Sequence, residues 1–333
     1  MAGGAERVLR RRIKSVQSTK KITKAMELIA ASRILKAQQR VNAARPYSEQ
    51  ITEVIRNLAA AGAGKGAALL EPRDAVRTVA FVAVAGDRGL CGGYNTTVIR
   101  TVEREMQRLQ AEGTQTRLVT VGKKATGYFR FRGFEIDDSF VGFSDEPTYE
   151  DARTVAEAVV KRFEDGEYDA VQICYTQFVS AGVQRVQLKR FVPIETDLLD
   201  AAEKSDGPRA DYEFEPGPGE ILDRLLPRYA EARLYAALLE GSASFFAAQQ
   251  RAMKSATDNA EELITKLSRV MNRARQDSIT TEIMEIVSGA EALRSGQAGG
   301  SDLLADNALK VADVVGHHDL AHSHAHGSDH RHL

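Results

Sequence analysis

From Leu225 to Thr281 an apolar or small residue recurs at alternating steps of four and three. The series runs Leu225, Tyr229, Ala232, Ala236, Leu239, Ala243, Phe246, Gln250, Met253, Thr257, Ala260, Ile264, Leu267, Met271, Ala274, Ser278 and Thr281, eight consecutive heptads. Such a run belongs to a coiled-coil helix rather than to a short helix of a compact domain. At 1.5 Å per residue, a helix over 220–290 is about 105 Å long, and no single compact domain of this size encloses it. Pro227 falls in the first predicted turns, where its missing N–H does least harm.

The other end of the chain carries a matching series: Ala30, Ile34, Ala37, Val41, Ala44, Ser48, Ile51, Ile55 and Leu58, broken only by Ser48. Upstream, Ile13, Val16, Ile22, Met26 and Ile29 are expected to keep an apolar face at less regular steps. Pro46 predicts a bend, because proline removes a helix hydrogen bond. The helix should fade in the Gly/Ala-rich stretch 59–66. Two heptad helices at opposite ends of one chain predict a long antiparallel coiled coil with the middle of the chain inserted at one end. Many seam residues are Ala, Ser or Thr, which bring helices close but bury less area than Leu.

The middle reads as alternating strands and helices. Strands are expected at 76–86, 116–122, within 134–143, and as a pair at 170–180 and 183–194; helices at 95–111, 123–132 and 149–163. Alternation of this kind predicts a parallel, Rossmann-like α/β domain. The expected organisation is a coiled-coil helix at 1–62, the α/β domain at 76–197, a Pro-containing linker at 198–219, a coiled-coil helix at 220–290 and a flexible His-rich extension at 291–333.

Composition excludes several classes. The 333 residues are 27% charged and 43% hydrophobic, with 45 Lys+Arg against 46 Asp+Glu, a foldable near-neutral chain. No apolar run approaches the ~20 residues of a membrane helix. The start, MAGGAERVLRRR, has no apolar core of a secretory signal. Two cysteines, Cys91 and Cys174, exclude a disulfide framework and fit a reducing compartment. All seven histidines fall between His317 and His332, so residues 1–316 can build no Ser-His-Asp triad or histidine general base.

Four motifs remain. GDRGLCGGYN (86–95) follows a strand and precedes a helix, where phosphate loops sit, but its glycines do not give G-x-G-x-x-G, so a tight turn is the expectation. GAGKGA (62–67) lacks the Ser/Thr of a phosphate loop at Gly66 and the first glycine at Ala59. Residues 7–26 hold eight basic side chains and no acid, which reads as a solvated face or as a surface for an acidic partner or nucleic acid. The tail HHDLAHSHAHGSDHRHL offers weak transition-metal binding through His317, His318, His322, His324 and His326, with no closed-site spacing. No cofactor is implied.

KKITKAMELIAASRILKAQQRV, GDRGLCGGYN, ATDNAEELI and SITTEIMEIVSGAEAL, in this order over about residues 3–293, resemble the gamma subunit of the bacterial-type rotary (F-type) ATP synthase. The resemblance implies a non-catalytic central-stalk rotor subunit. Its coiled coil would sit in a ring of alpha and beta subunits, with the α/β domain against the epsilon subunit and the membrane c-ring. Proton flow would turn the shaft and so drive ATP synthesis. It implies beta-subunit contacts at Lys21, Lys24, Met26, Arg275, Gln276 and Thr280, and c-ring contacts at Tyr212, Phe214 and Glu215, where Phe214 replaces a more usual tyrosine. It implies a peripheral location on the cytoplasmic face of a bacterial cell membrane, touching the membrane only through the c-ring, and no nucleic acid. The alternatives are a basic coiled-coil scaffold or nucleic-acid binder, which predicts salt-dependent DNA affinity, and an α/β nucleotide enzyme.

Overall fold

The computed structural model describes residues 2–60, 67–73, 75–194, 215 and 217–296. Among these, the elements in chain order are α1 (Ala2–Ala60), β1 (Thr78–Val84), α2 (Tyr94–Ala111), β2 (Gln115–Val121), α3 (Lys123–Phe131), β3 (Asp138–Phe140), α4 (Tyr149–Glu164), β4 (Ala170–Phe178), β5 (Gln184–Val192) and α5 (Pro218–Gly296). Two compact units are distinguished. One is Ile13–Thr265; the other joins the α1 residues up to Arg12 with the α5 residues from Lys266 onward.

The larger unit is built on a five-stranded sheet of order β3-β2-β1-β4-β5. The β1–β2, β1–β4 and β2–β3 ladders are parallel, and β4–β5 is antiparallel. The sheet is therefore mixed, not parallel throughout. The reason is local: only residues 179–183 separate β4 from β5, and the Val183 and Ser180 amides and carbonyls close a turn. A hairpin turn of that length can join only antiparallel strands. β1 is buried along almost its whole length, as expected of a central strand covered on both faces.

One face of the sheet packs on α2 and α3, through Val98, Val102, Met106 and Phe129. The other packs on α4 and on the two long helices, through Ile51, Ile55 and Leu58 of α1 and Leu222, Leu226, Leu234 and Leu238 of α5. Because α5 lies under the sheet and against α1, Tyr229–Ala247 is apolar or small on nearly every side and almost wholly buried.

Within this unit α1 and α5 run in opposite directions. Lys20 pairs with Glu261, Thr23 with Thr257, and Ile34 and Ala37 share a core with Ala243, Phe246 and Ala247. The predicted α1 seam from Ala30 to Leu58 is buried or half-buried at every position. Upstream the reading needs correction: Ile22 and Ile29 are 61% and 54% exposed. The 4-3 step instead continues through Val16, Lys20, Thr23 and Glu27, whose polar ends disguise it. α1 stays helical through Pro46. α5 begins at Pro218, so Pro218 holds the favourable first position and Pro227 lies inside the helix. α5 also continues past 290 to Gly296. The 62–66 stretch, most of the 198–219 linker and the extension beyond 296 lie outside the described residues.

Candidate functional site

The 86–95 loop is the point where strand, helix and both long helices meet. Its residues are held by short-range chemistry that the glycine pattern only hints at. Asn95, at the start of α2, accepts from the Gly86 amide at 2.7 Å and donates to the Arg88 carbonyl at 3.0 Å. Tyr94 donates its phenol to the Gly241 carbonyl of α5 at 3.0 Å and meets Phe245 edge-on. A side chain at Gly241 would crowd that hydroxyl. Gly122, at φ +95°, ends β2 so close to Ala85 that a Cβ there would strike its carbonyl.

Asp87 ties this loop to the 141–148 segment. Its carboxylate accepts from the amides of Lys123, Gly142 and Ser144 and from the Ser144 hydroxyl. Partial burial alone would raise its pKa. The Lys123 amide, the Ser144 hydroxyl and the other amides outweigh it and leave the pKa below the usual value. Asp145 then bridges Arg33 of α1 at 3.6 Å and Arg88 of the loop at 3.2 Å, while its carbonyl accepts from Ser242 of α5 at 2.6 Å. Sequence reasoning missed Asp87, Asp145 and Arg33, because partners dozens of residues apart leave no local pattern.

These groups tie distant segments together. Burial raises the Cys91 thiol pKa and pushes that of Cys174 up to about 12, so both thiols stay protonated at neutral pH. Among the described residues, no group of three His, Cys, Asp or Glu is arranged to hold a metal. None of the histidines is among them; His317, His318, His322, His324 and His326 lie outside.

The helix-pair surface carries the basic run. Lys21 and Lys24 are exposed and Met26 is half-buried. Lys24 reaches Glu27 at 3.1 Å and Lys20 reaches Glu261 at 3.1 Å, while Lys14 and Lys21 point to solvent on the same helix. Between them the buried Thr23 and Thr257 hydroxyls share a 2.8 Å hydrogen bond.

On the smaller unit Arg275, Gln276 and Thr280 are all exposed, with the Thr280 hydroxyl donating to the Gln276 carbonyl. Large apolar side chains are exposed around them: Val270, Ile279, Ile283, Met284, Ile286 and Val287. Glu215 is exposed; Tyr212 and Phe214 lie outside the described residues. No described helix is long and apolar enough to cross a membrane.

A family model described as ATP synthase matches residues 5–293. The ATP synthase gamma chain of Frankia casuarinae is 51% identical over 297 residues, covering 88% of this chain and 99% of that one. The gamma chain of Mycolicibacterium vanbaalenii is 47% identical, covering 86% and 97%, and that of Streptomyces coelicolor 45%, covering 90% and 100%. Among solved structures, a chain of the Euglena gracilis mitochondrial ATP synthase (OSCP/F1/c-ring) superimposes with a TM-score of 0.63 at 17% identity, covering 90% of this chain and 98% of that one. A chain of the Tetrahymena thermophila mitochondrial ATP synthase central stalk/c-ring does so with a TM-score of 0.54 at 23% identity, covering 71% and 99%.

Proposed function

The chain belongs to the family of ATP synthase gamma chains, the rotor subunits of the central stalk, and on that premise we propose how its parts carry torque. The observation that carries the reading is the antiparallel pairing of α1 and α5 on a sheet inserted between them, over a region matched by nearly the whole length of gamma chains. The two helices act as an antiparallel coiled-coil shaft inside the ring of alpha and beta subunits. The Rossmann-like α/β insert meets the epsilon subunit and the c-ring. Proton flow through the membrane turns the c-ring and the shaft with it, and the shaft's asymmetry sets the beta subunits' conformations in turn. The chain supplies no catalytic group; chemistry belongs to the alpha and beta subunits. It lies at the cytoplasmic face of a bacterial membrane and binds no nucleic acid.

The exposure of Lys21, Lys24, Arg275, Gln276, Thr280 and Glu215 supports their contact assignments. Lys21 and Lys24, with Met26 beside them, sweep past acidic segments of the beta subunits. Arg275, Gln276 and Thr280 meet a beta-subunit loop at the other part of the shaft. Exposed ion pairs are worth only ~0–1 kcal/mol each, so they bias orientation without locking it. Tyr212, Phe214 and Glu215 form the foot on the c-ring, and the histidines of the extension bind transition metal weakly.

The test is assembly and coupling. Expressed with a tag, the chain should co-purify two larger ATP-binding subunits and a small epsilon-like one. Replacing Lys21 and Lys24 together by Gln should leave assembly intact and lower torque or proton coupling. Unchanged torque would remove the electrostatic part of the reading, and failure to co-purify the ring would remove the reading itself.

A further inference from the structure

In the smaller unit α5 carries a half-buried seam through Met271, Ala274 and Ser278, and there it stops. From Ile279 to Arg294 every residue is exposed. This stretch is nonetheless not polar. Ile279, Ile283, Ile286, Ala290 and Leu293 recur at steps of four, three, four and three. On a helix that spacing lays them along one stripe. Ile286 and Leu293 are 72% and 74% exposed, and Val287 flanks them, also exposed. A contiguous apolar stripe on a solvated helix marks an interaction surface.

A complementary segment follows in the same chain. Beyond Gly296 the chain lies outside the described residues, and its sequence reads QAGG (297–300), then SDLLADNALKVADVVG (301–316). Ser301 is of the type that caps a helix start, Asp302 suits a first turn, and Gly316 suits the position after a last one. Between them Leu304, Ala308, Val311 and Val315 repeat at four, three and four, while Asp306, Lys310 and Asp313 fall on the other side. A helix over 302–315 is about 21 Å long, the length of the stripe from Ile279 to Leu293. Residues 297–300 have the length of a helix–helix connection, about two to eight residues.

The register closes as well. In an antiparallel pair, the numbers of facing residues add to a constant. With Leu304 opposite Ala290, the spacing puts Ala308 opposite Ile286, Val311 opposite Ile283 and Val315 opposite Ile279, with no slip in any layer. A large residue meets a small one in the first two layers, and β-branched residues meet in the last two. Volume matching of this kind is what fills a helical seam.

We propose that in the unassembled chain residues 302–315 fold back as a helix, antiparallel to α5, and cover the Ile279–Leu293 stripe. A second copy of the chain is the competing occupant, and the tether decides against it. A short linker holds the segment at an effective concentration on the order of millimolar, far above that of a dilute second copy. The fold-back does not rest on the rotor reading, since it is tested on the purified chain. Combined with that reading, it makes the segment a cap that the ring displaces on assembly.

The experiment uses the purified full chain, in which Cys91 and Cys174 are both buried. One variant pairs Ile283→Cys with Val311→Cys, which face each other in this register. The other pairs Ile283→Cys with Leu304→Cys, offset by about 10 Å along the helix. Ile283 is exposed, so its replacement removes no buried contact. In a glutathione redox buffer the facing pair should close an intramolecular disulfide roughly tenfold faster than the offset pair. A tether without the fold-back closes both at similar rates, because loop-closure cost changes slowly with length. Adding Val315→Asp to the facing pair puts a charge into the seam and should bring its rate down to that of the offset pair. Hydrogen exchange gives a readout free of cysteines: amides of residues 279–293 should exchange roughly tenfold more slowly in the full chain than in one ending at Gly300. Equal disulfide rates for the two pairs, or equal exchange in the two chains, would overturn the proposal. So would a disulfide-linked dimer from the facing pair, which gives the stripe to a second copy.

Discussion

Asp87 and Glu240 are carboxylates whose surroundings push them in opposite directions. Asp87 is partly buried, yet amides and a hydroxyl converge on it and its pKa falls. A lowered folded-state value means a stabilising contribution that is present above the ordinary carboxylate range and lost as pH drops through the lowered value. Asp87→Asn should therefore cost about 1–2 kcal/mol near pH 7. The penalty should shrink once pH falls below the ordinary aspartate value of about 3.9. Denaturant unfolding at a series of pH values reads this; a penalty that ignores pH would mean the loop is held by shape alone. Glu240 of α5 is raised, chiefly by burial, against the Phe178 amide and the charges of Lys189 and Arg45, and one of its oxygens is buried without a partner. Its neutral form favours folding at low pH, and that contribution disappears as pH rises through the raised value. Glu240→Gln should accordingly stabilise at neutral pH, on the order of 1 kcal/mol or about 2–4 °C. The gain should fade as the parent is acidified toward about pH 4.3. A lower melting temperature at neutral pH would show that the charged form is needed.

At the scale of elements, what periodicity encodes was legible and what distance encodes was not. The α5 seam is plainest beyond Ala252, where Met253, Thr257 and Ala260 are buried and Ile264, Leu267, Met271 and Ala274 half-buried among exposed neighbours. The α1 seam was legible from Ala30 onward, where it is apolar. It was misread upstream, because Ile22 and Ile29 are apolar but face solvent, while Lys20, Thr23 and Glu27 hold the interface side. Hydropathy cannot flag a seam that satisfies itself with hydrogen bonds and ion pairs. The alternating strands and helices gave the α/β insert, and the β4–β5 pair was visible as two adjacent runs; the antiparallel ladder follows from the short turn between them. The Asp87 and Asp145 junctions were invisible, since each joins segments far apart in sequence. The misread seam makes a sharp prediction. The Thr23 and Thr257 hydroxyls lie 2.8 Å apart, each also within reach of a carbonyl of its own helix, so one donates to the other and the acceptor donates to its own helix. Thr23→Val and Thr257→Val should each cost about 1 kcal/mol, and the double variant clearly less than the sum. Additive costs in a double-mutant cycle would mean that the two hydroxyls contribute through their own helices only.

At the scale of the molecule, the insertion of a sheet between two paired helices lets one chain be stiff along its helices and anchored at its middle. Tyr94, through Gly241, and Asp145, through Ser242, fasten the insert to α5, so a twist applied to the sheet passes into that helix through hydrogen bonds. The extension lies outside the described residues. The family match ends at residue 293, and all seven histidines follow it. Imidazoles at this density bind divalent transition metals in their neutral form and lose that capacity as they protonate near pH 6.5. In a rotor, a segment that gains contacts on binding metal adds drag, while a segment that gains none turns unnoticed. Truncation after Leu293 therefore separates the two cases in the assembled complex. Zinc at micromolar concentration should slow ATP hydrolysis by the full-length complex, less so below pH 6.5 than at pH 7.5, and leave the truncated complex unaffected. Equal rates for both complexes, with and without zinc, would make the extension a passenger on the shaft.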